Sequence, residues 1–238
     1  MAYRISPGKP PGVVFLCGLL SDMSGTKAQM LESFCRGRGQ AYLRFDYTGH
    51  GLSSGEFTDG TIGAWADDAI AVLDELVPGP QILVGSSMGG WLMLLAALAR
   101  PERIAGLVGV AAAPDFTEDV IWARLGDEER EKLVREGVIQ QRSEYGAEPY
   151  AVTMRLIEEG RRHLLLGNPI PLSCPVRLLH GMADEAAPWR TSMRLAERLA
   201  SENIVVSLIK DGDHRLSRPE DLTRICATVA ELCDQAPG

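Results

Sequence analysis

Six runs of nearly unbroken apolar residues punctuate this chain, and they constrain its fold more than any other feature. They are Val13-Val14-Phe15-Leu16-Cys17, Ala41 to Phe45, Gln81 to Val84, Ile104 to Ala111, Val176 to Leu179 and Ile204 to Leu208. A strand that is apolar on both sides has both of its faces covered. Between the runs lie helical patterns at Lys27 to Arg38, Thr61 to Leu76, Met88 to Ala99, Arg190 to Leu199 and Pro219 to Leu232, with Thr61 placed to cap its helix. A repeated strand-then-helix rhythm requires right-handed crossovers. The expected fold is therefore α/β, with a mostly parallel central sheet flanked by helices and a functional edge at the strands' carboxyl ends. The chain of 238 residues is long enough for a single domain, 1–238, with a full core. Only the ends, Met1 to Pro11 and Gln235 to Gly238, read as segments able to stay disordered.

One segment breaks the rhythm. From Asp115 to Asn168 no strand is evident, only helical patterns such as Asp127 to Glu136 and Pro149 to Gly160. An insertion at a strand's carboxyl end sits over the functional edge, so residues 115–168 read as a small helical cap.

Charge and cysteine usage exclude several roles. The net charge of −8 is spread along the chain, which argues against nucleic-acid partners, because neutralising phosphates needs a basic surface. No apolar stretch is long and clean enough for stable membrane insertion, and no secretory signal is visible. Five cysteines, an odd number with no C-x-x-C pair, read as reduced thiols in a reducing compartment. The sequence carries no signal for oligomeric state.

The chemistry centres on Gly85-Ser86-Ser87-Met88-Gly89, a G-x-S-x-G motif. It follows one strand directly and opens a helix directly, the setting of a nucleophile elbow that lifts a serine hydroxyl clear of the sheet. Gly51-Leu52-Ser53-Ser54-Gly55 has the same spacing, but no strand precedes it immediately and no helix follows, so Ser53 reads as a loop serine. A serine hydroxyl needs a base within hydrogen-bond reach. Of the four histidines, His214 lies in the polar turn between the last strand and the last helix, on the functional edge and after the serine in chain order. His50 and His180 read as structural, and His163 as a surface or cap-packing residue. The acid that should hold the imidazole is Asp184, after the strand Val176 to Leu179; Asp115, after the strand that precedes the cap, is its rival. Negative charge developing on a substrate carbonyl calls for backbone donors. The N–H groups of Met88 and Leu19 are the candidates, with Gly18 permitting the turn before Leu19. Val120, Ile121, Trp122 and Leu125 of the cap are candidates for lining an acyl pocket.

From Val13 to Leu232 the chain resembles the α/β-hydrolase superfamily. Phe45-Asp46-Tyr47-Thr48-Gly49-His50-Gly51 is similar to the D-x-x-G-x-G loop of these enzymes. The run Gly79 to Met93, the segment Arg177 to Met182 with Pro188-Trp189 and Thr191-Ser192-Met193 beyond it, and Asp213-His214-Arg215 resemble one branch. That branch is the abhydrolase domain-containing protein ten and its bacterial relatives. The resemblance implies a thioesterase of S-palmitoylated proteins or an esterase of acyl glucuronides, acting on a small-molecule or acylated substrate. It implies Ser87, Asp184 and His214 as the triad, Leu19 and Met88 as the oxyanion donors, and no metal or organic cofactor. Cys17 departs from the histidine that many hydrolases carry before the loop glycine. The N-terminus has no Arg-rich, Ser-rich transit segment, so the expected location is cytoplasmic. Two alternatives stand beside an esterase or thioesterase: a cofactor-free perhydrolase with the same triad, and a non-catalytic ligand-binding protein on the same scaffold.

Overall fold

A computed structural model describes residues 1–142 and 149–236. Its order is β1 (Ala2–Ser6), β2 (Lys9–Leu16), α1 (Thr26–Gly37), β3 (Gln40–Asp46), α2 (Ile62–Ala71), β4 (Gln81–Ser86), α3 (Met88–Ala99) and β5 (Ile104–Val110). Then come α4 (Asp127–Glu136), β6 (Val138–Gln141), β7 (Tyr150–Thr153), α5 (Met154–Gly160), β8 (Val176–Gly181), α6 (Arg190–Arg198), β9 (Ile204–Ile209) and α7 (Pro219–Gln235). Seven strands form one sheet in the order β1-β3-β2-β4-β5-β8-β9. All its pairings are parallel except that of β1 with β3.

The apolar runs of the inner strands are covered on both faces as expected, but the last run forms the edge strand β9, where Val205 and Leu208 are exposed. Every residue of β4 and β8 is buried, as is α3 along nearly its whole length, and so α3 is apolar on all sides instead of amphipathic. Helix α2 is capped by Thr61, whose side chain accepts from the Ala64 N–H at 3.3 Å, and its last turn widens into a π-type turn at Val72–Leu76. The pairs α1–α7 and α2–α3 pack together over the strands. Among the described residues, no helix is long and apolar enough to cross a membrane.

Two sequence expectations need correction. The N-terminal segment is ordered: β1 runs antiparallel to β3 from the pairing Ala2–Asp46 to Ser6–Tyr42. An edge strand is held by its ladder, so its side chains show no apolar pattern to read. The insertion between β5 and β8 is also not all helical. It holds a π-type turn (Thr117–Trp122), α4, an antiparallel hairpin of β6 and β7, and α5. The pattern read as one helix from Pro149 to Gly160 divides into a strand and a helix at Thr153, whose hydroxyl caps α5 by accepting from Leu156 N–H. Residues 143–148 of the expected cap, and Pro237 and Gly238 of the expected disordered tail, lie outside the described residues. The insertion has a small core of its own, formed by Leu125, Leu133, Ile139, Val152 and Ile157.

Candidate active site

Ser87 occupies a sharp turn between β4 and α3, at φ 54° and ψ −119°. A non-glycine residue in that region is strained by about 1–3 kcal/mol and persists only where its surroundings over-determine it. Here they do: Ser87 N–H donates to the Val110 carbonyl at 3.0 Å, and the Ser87 carbonyl accepts from Gly90 and Ala113 N–H at 2.9 and 3.1 Å. The flanking glycines are required by close approach. A Cβ on Gly85 would run into the backbone of Gly89 and Gly90, and one on Gly89 into the carbonyls of Leu16 and Cys17.

The hydroxyl so presented meets His214. Ser87 Oγ lies 2.9 Å from His214 Nε2, and His214 Nδ1 lies 2.7 Å from Asp184 Oδ2. The Asp184 side chain is fully buried and that of His214 is 12% exposed. Both loops that carry these groups are fixed to each other: Met182 N–H donates to the Ile209 carbonyl and Ala183 N–H to the Gly212 carbonyl. Within the histidine loop, Asp213 accepts from Leu216 N–H at 2.9 Å. Lys27, in the first turn of α1, donates from Nζ to the Arg215 carbonyl at 2.5 Å. Burial pushes its ammonium down to about 8, against the opposing pull of Asp213.

Burial alone would raise the Asp184 carboxyl, but hydrogen bonds from His180 and His214 outweigh it and hold the group well below the usual carboxylate range. Asp184 is thus ionised at neutral pH and aimed at Nδ1 of His214, which leaves Nε2 to take a proton from the serine. The rival acid, Asp115, is committed elsewhere. It accepts from the N–H groups of Leu165 and Leu166, both at 2.8 Å, and ties the end of the insertion to the end of β5.

Ser53 sits in a turn that closes the loop after β3. Its hydroxyl donates to the Asp46 carbonyl at 2.6 Å and accepts from Ala2 N–H at 2.8 Å. His50 is buried edge-on among Tyr47, Phe57 and Trp65. His163 bonds to Glu159 at 2.5 Å, while its carbonyl accepts from the Trp91 indole at 3.1 Å, so it packs the insertion onto α3. His180 fixes the loop backbone as expected, its Nε2 lying 3.1 Å from the Ala187 carbonyl, and in addition its ring bonds Asp184 directly, at 3.0 Å. The signal was its spacing, His180-Gly181-Met182-Ala183-Asp184, which folds the loop back on itself.

Ser87 and His214 open into a cavity of about 950 Å³. Leu19 and Met88 line it beside Ser87, and a Cβ on Gly18 would stand 3.3 Å from the Ser87 Cβ, so the loop after β2 lies against the elbow. Phe116, Val120, Ile121 and Leu125 form an apolar wall from the insertion, which also contributes the polar Arg124, Glu129, Gln141 and Arg142, while Lys27, Asp22, Arg215 and Ser217 line the cavity from the body. Trp122, expected to share the apolar wall, is absent from it. Consecutive residues on a helical turn point roughly 100° apart, and with Val120 and Ile121 lining the cavity Trp122 turns away from it, half-buried against the insertion's own small core. There it packs between the guanidinium groups of Arg130 and Arg161, at 5.3 and 4.8 Å from the ring centre. Among the described residues, no group of three or more His, Cys, Asp or Glu side chains could hold a metal ion.

Comparison with known proteins identifies the fold and family. A family model described as "Alpha/beta hydrolase family" matches residues 13–221. The human protein named "Palmitoyl-protein thioesterase ABHD10, mitochondrial" is 45% identical over 236 residues, which span 99% of this chain and 77% of that protein. The solved structure of alpha/beta hydrolase domain-containing protein 10 from mouse superposes with a TM-score of 0.91 at 42% identity, over 98% of this chain and 93% of the other. That of a putative hydrolase from Agrobacterium vitis S4 gives 0.94 at 40% identity, over 97% and 92%. The fold, its elbow and its similarity across almost the whole length agree: the chain belongs to the alpha/beta hydrolase family.

Proposed function

We propose that this protein is a serine hydrolase of acyl esters and thioesters, working through an acyl-enzyme on Ser87, with long-chain acyl thioesters, including S-palmitoylated protein, as its substrate class. The observation that carries this reading is the hydrogen-bonded chain from Ser87 Oγ through His214 to the buried Asp184 carboxylate. Ser87 Oγ attacks the substrate carbonyl carbon while His214 Nε2 takes its proton. The oxyanion is held by the N–H groups of Leu19 and Met88. The carbonyl re-forms as the bond to sulfur or oxygen breaks, and the leaving group departs with the proton from His214. Water, deprotonated by His214, then attacks the acyl-enzyme; the acid leaves and Ser87 recovers its proton. Asp184 stays ionised throughout, and the proton and electron balance calls on no metal or organic cofactor.

The apolar wall of Phe116, Val120, Ile121 and Leu125 is the acyl side of the cavity in this reading, and residues 115–168 act as a cap over it. The thioester preference is supported by the name of the human relative, a palmitoyl-protein thioesterase. That relative is also named mitochondrial; the five free thiols here support a reducing compartment, which both the cytoplasm and the mitochondrial matrix provide. A panel of acyl thioesters and p-nitrophenyl esters of graded chain length tests the reading. Turnover should rise with chain length as the apolar wall fills, and vanish in Ser87→Ala. Binding of the panel without turnover of any member by the wild type would instead mark a ligand-binding protein.

A further inference from the structure

Two imidazoles meet on one oxygen of the acid. Asp184 Oδ2 lies 2.7 Å from His214 Nδ1 and 3.0 Å from His180 Nε2, while Asp184 Oδ1 accepts from Ala187 N–H at 2.8 Å. His180, at the end of β8, has no solvent exposure. Its Nε2 is also 3.1 Å from the Ala187 carbonyl, an oxygen that can only accept, so Nε2 carries a proton shared between that carbonyl and Asp184. Its Nδ1 lies 2.8 Å from the hydroxyl of Ser192, itself fully buried at the start of α6. A ring protonated on Nε2 satisfies every contact: two acceptors at Nε2, and at Nδ1 a hydroxyl able to donate or accept.

We propose that His180 is a positioning residue of the hydrolase reaction, donating from Nε2 to Asp184 Oδ2, with the Ala187 carbonyl fixing the proton on Nε2 and Ser192 holding the ring in place through Nδ1. The inference rests on the triad reading above. Asp184 stands on a loop, where a carboxylate is free to rotate about its terminal torsion. His214 alone cannot fix it, because His214 must itself be held and changes charge during each half-reaction. The donors from His180 and Ala187, one on each oxygen, hold Asp184 from outside the triad. Oδ2 then faces Nδ1 of His214 whether that ring is neutral or charged. Neither His180 nor Ser192 lines the cavity among the described residues, so their loss should appear in kcat and leave KM nearly untouched.

The test compares His180→Leu, His180→Gln and Ser192→Ala with wild type and Ser87→Ala on one acyl thioester, with thermal melts of each. Leucine removes the donor; glutamine places an amide N–H near the position of Nε2. We expect kcat to fall about 30- to 100-fold in His180→Leu with KM within about twofold, the size of effect that a misplacement near 1 Å produces. Glutamine should recover most of that loss, and Ser192→Ala should lower kcat several-fold. The far-downfield proton resonance of the His214–Asp184 bond should shift or broaden in His180→Leu and persist in His180→Gln. Wild-type kcat in His180→Leu, or equal losses in the leucine and glutamine variants, would overturn the proposal while Ser87→Ala remains inert. Activity surviving in Ser87→Ala would refute the triad reading itself. Should His180→Leu fail to fold, Ser192→Ala decides: an unchanged kcat there overturns the assignment.

Discussion

Ser53 and Ser87 share a motif and almost nothing else. Each is centred in G-x-S-x-G, yet the Ser53 hydroxyl is consumed in holding its own loop, bonded to the Asp46 carbonyl and to Ala2 N–H. The Ser87 hydroxyl meets an imidazole at the mouth of a cavity. The glycine spacing permits a tight turn in both places, and the elements joined by the turn decide where its serine points. Around Ser87 a buried strand runs straight into a buried helix, and their backbones come so close that only glycine fits at positions 85 and 89. Around Ser53 no strand or helix adjoins the turn, so the hydroxyl turns inward. The two aspartates divide in the same manner. Two imidazoles and a backbone N–H hold Asp184 below the usual carboxylate range, whereas burial pushes Asp115 upward despite the N–H groups of Leu165 and Leu166.

The contrast can be broken or sharpened by substitution. The largest effect belongs to Ser87→Ala, which should lower kcat by about 10⁵-fold or more with the fold intact; residual activity near wild type would dissolve the distinction between the two serines. Next comes Asp184→Asn, expected to cost about 10⁴-fold in kcat by losing the charge that orients and stabilises the imidazole, whereas Asp115→Asn should spare kcat per folded molecule. The same pair differs in acid. Because the folded-state value of Asp184 is depressed, its contribution to stability is present above the unfolded carboxylate value of about 4 and is lost as pH falls below it. Asp184→Asn should therefore flatten the acid limb of a stability profile. The smallest effect is that of Ser53→Ala: activity unchanged, with stability lower by about 1–2 kcal/mol for the loss of two part-buried hydrogen bonds. A thermal melt alongside a kinetic assay separates the two outcomes.

Elements were legible in the chain to the degree that their side chains declare them. The parallel strands are apolar on both faces, and the helices between them carry caps and periodicity, so their order and the functional edge were visible. Ser87, Asp184 and His214 were legible because each follows a strand and their order along the chain suits a triad; the structure brings them within hydrogen-bond reach. The edge strand β1 was not legible, since its ladder to β3 uses backbone groups alone. The hairpin of β6 and β7 was hidden because four-residue strands leave too short a pattern to distinguish from a helix. Trp122 was misjudged because apolar character does not say which way a turn faces, and its ring serves two arginines instead of the cavity. The bond from His180 to the acid was missed because the short spacing from His180 to Asp184 acquires meaning only once the loop closes on itself.

The most direct test of the account is to treat the wild-type protein with a fluorophosphonate, digest it, and locate the adduct by mass spectrometry. The account predicts a single stoichiometric adduct on Ser87, with Ser53 unmodified. An adduct on Ser53 or any other residue, or none under conditions where the protein turns over an acyl ester, would contradict it.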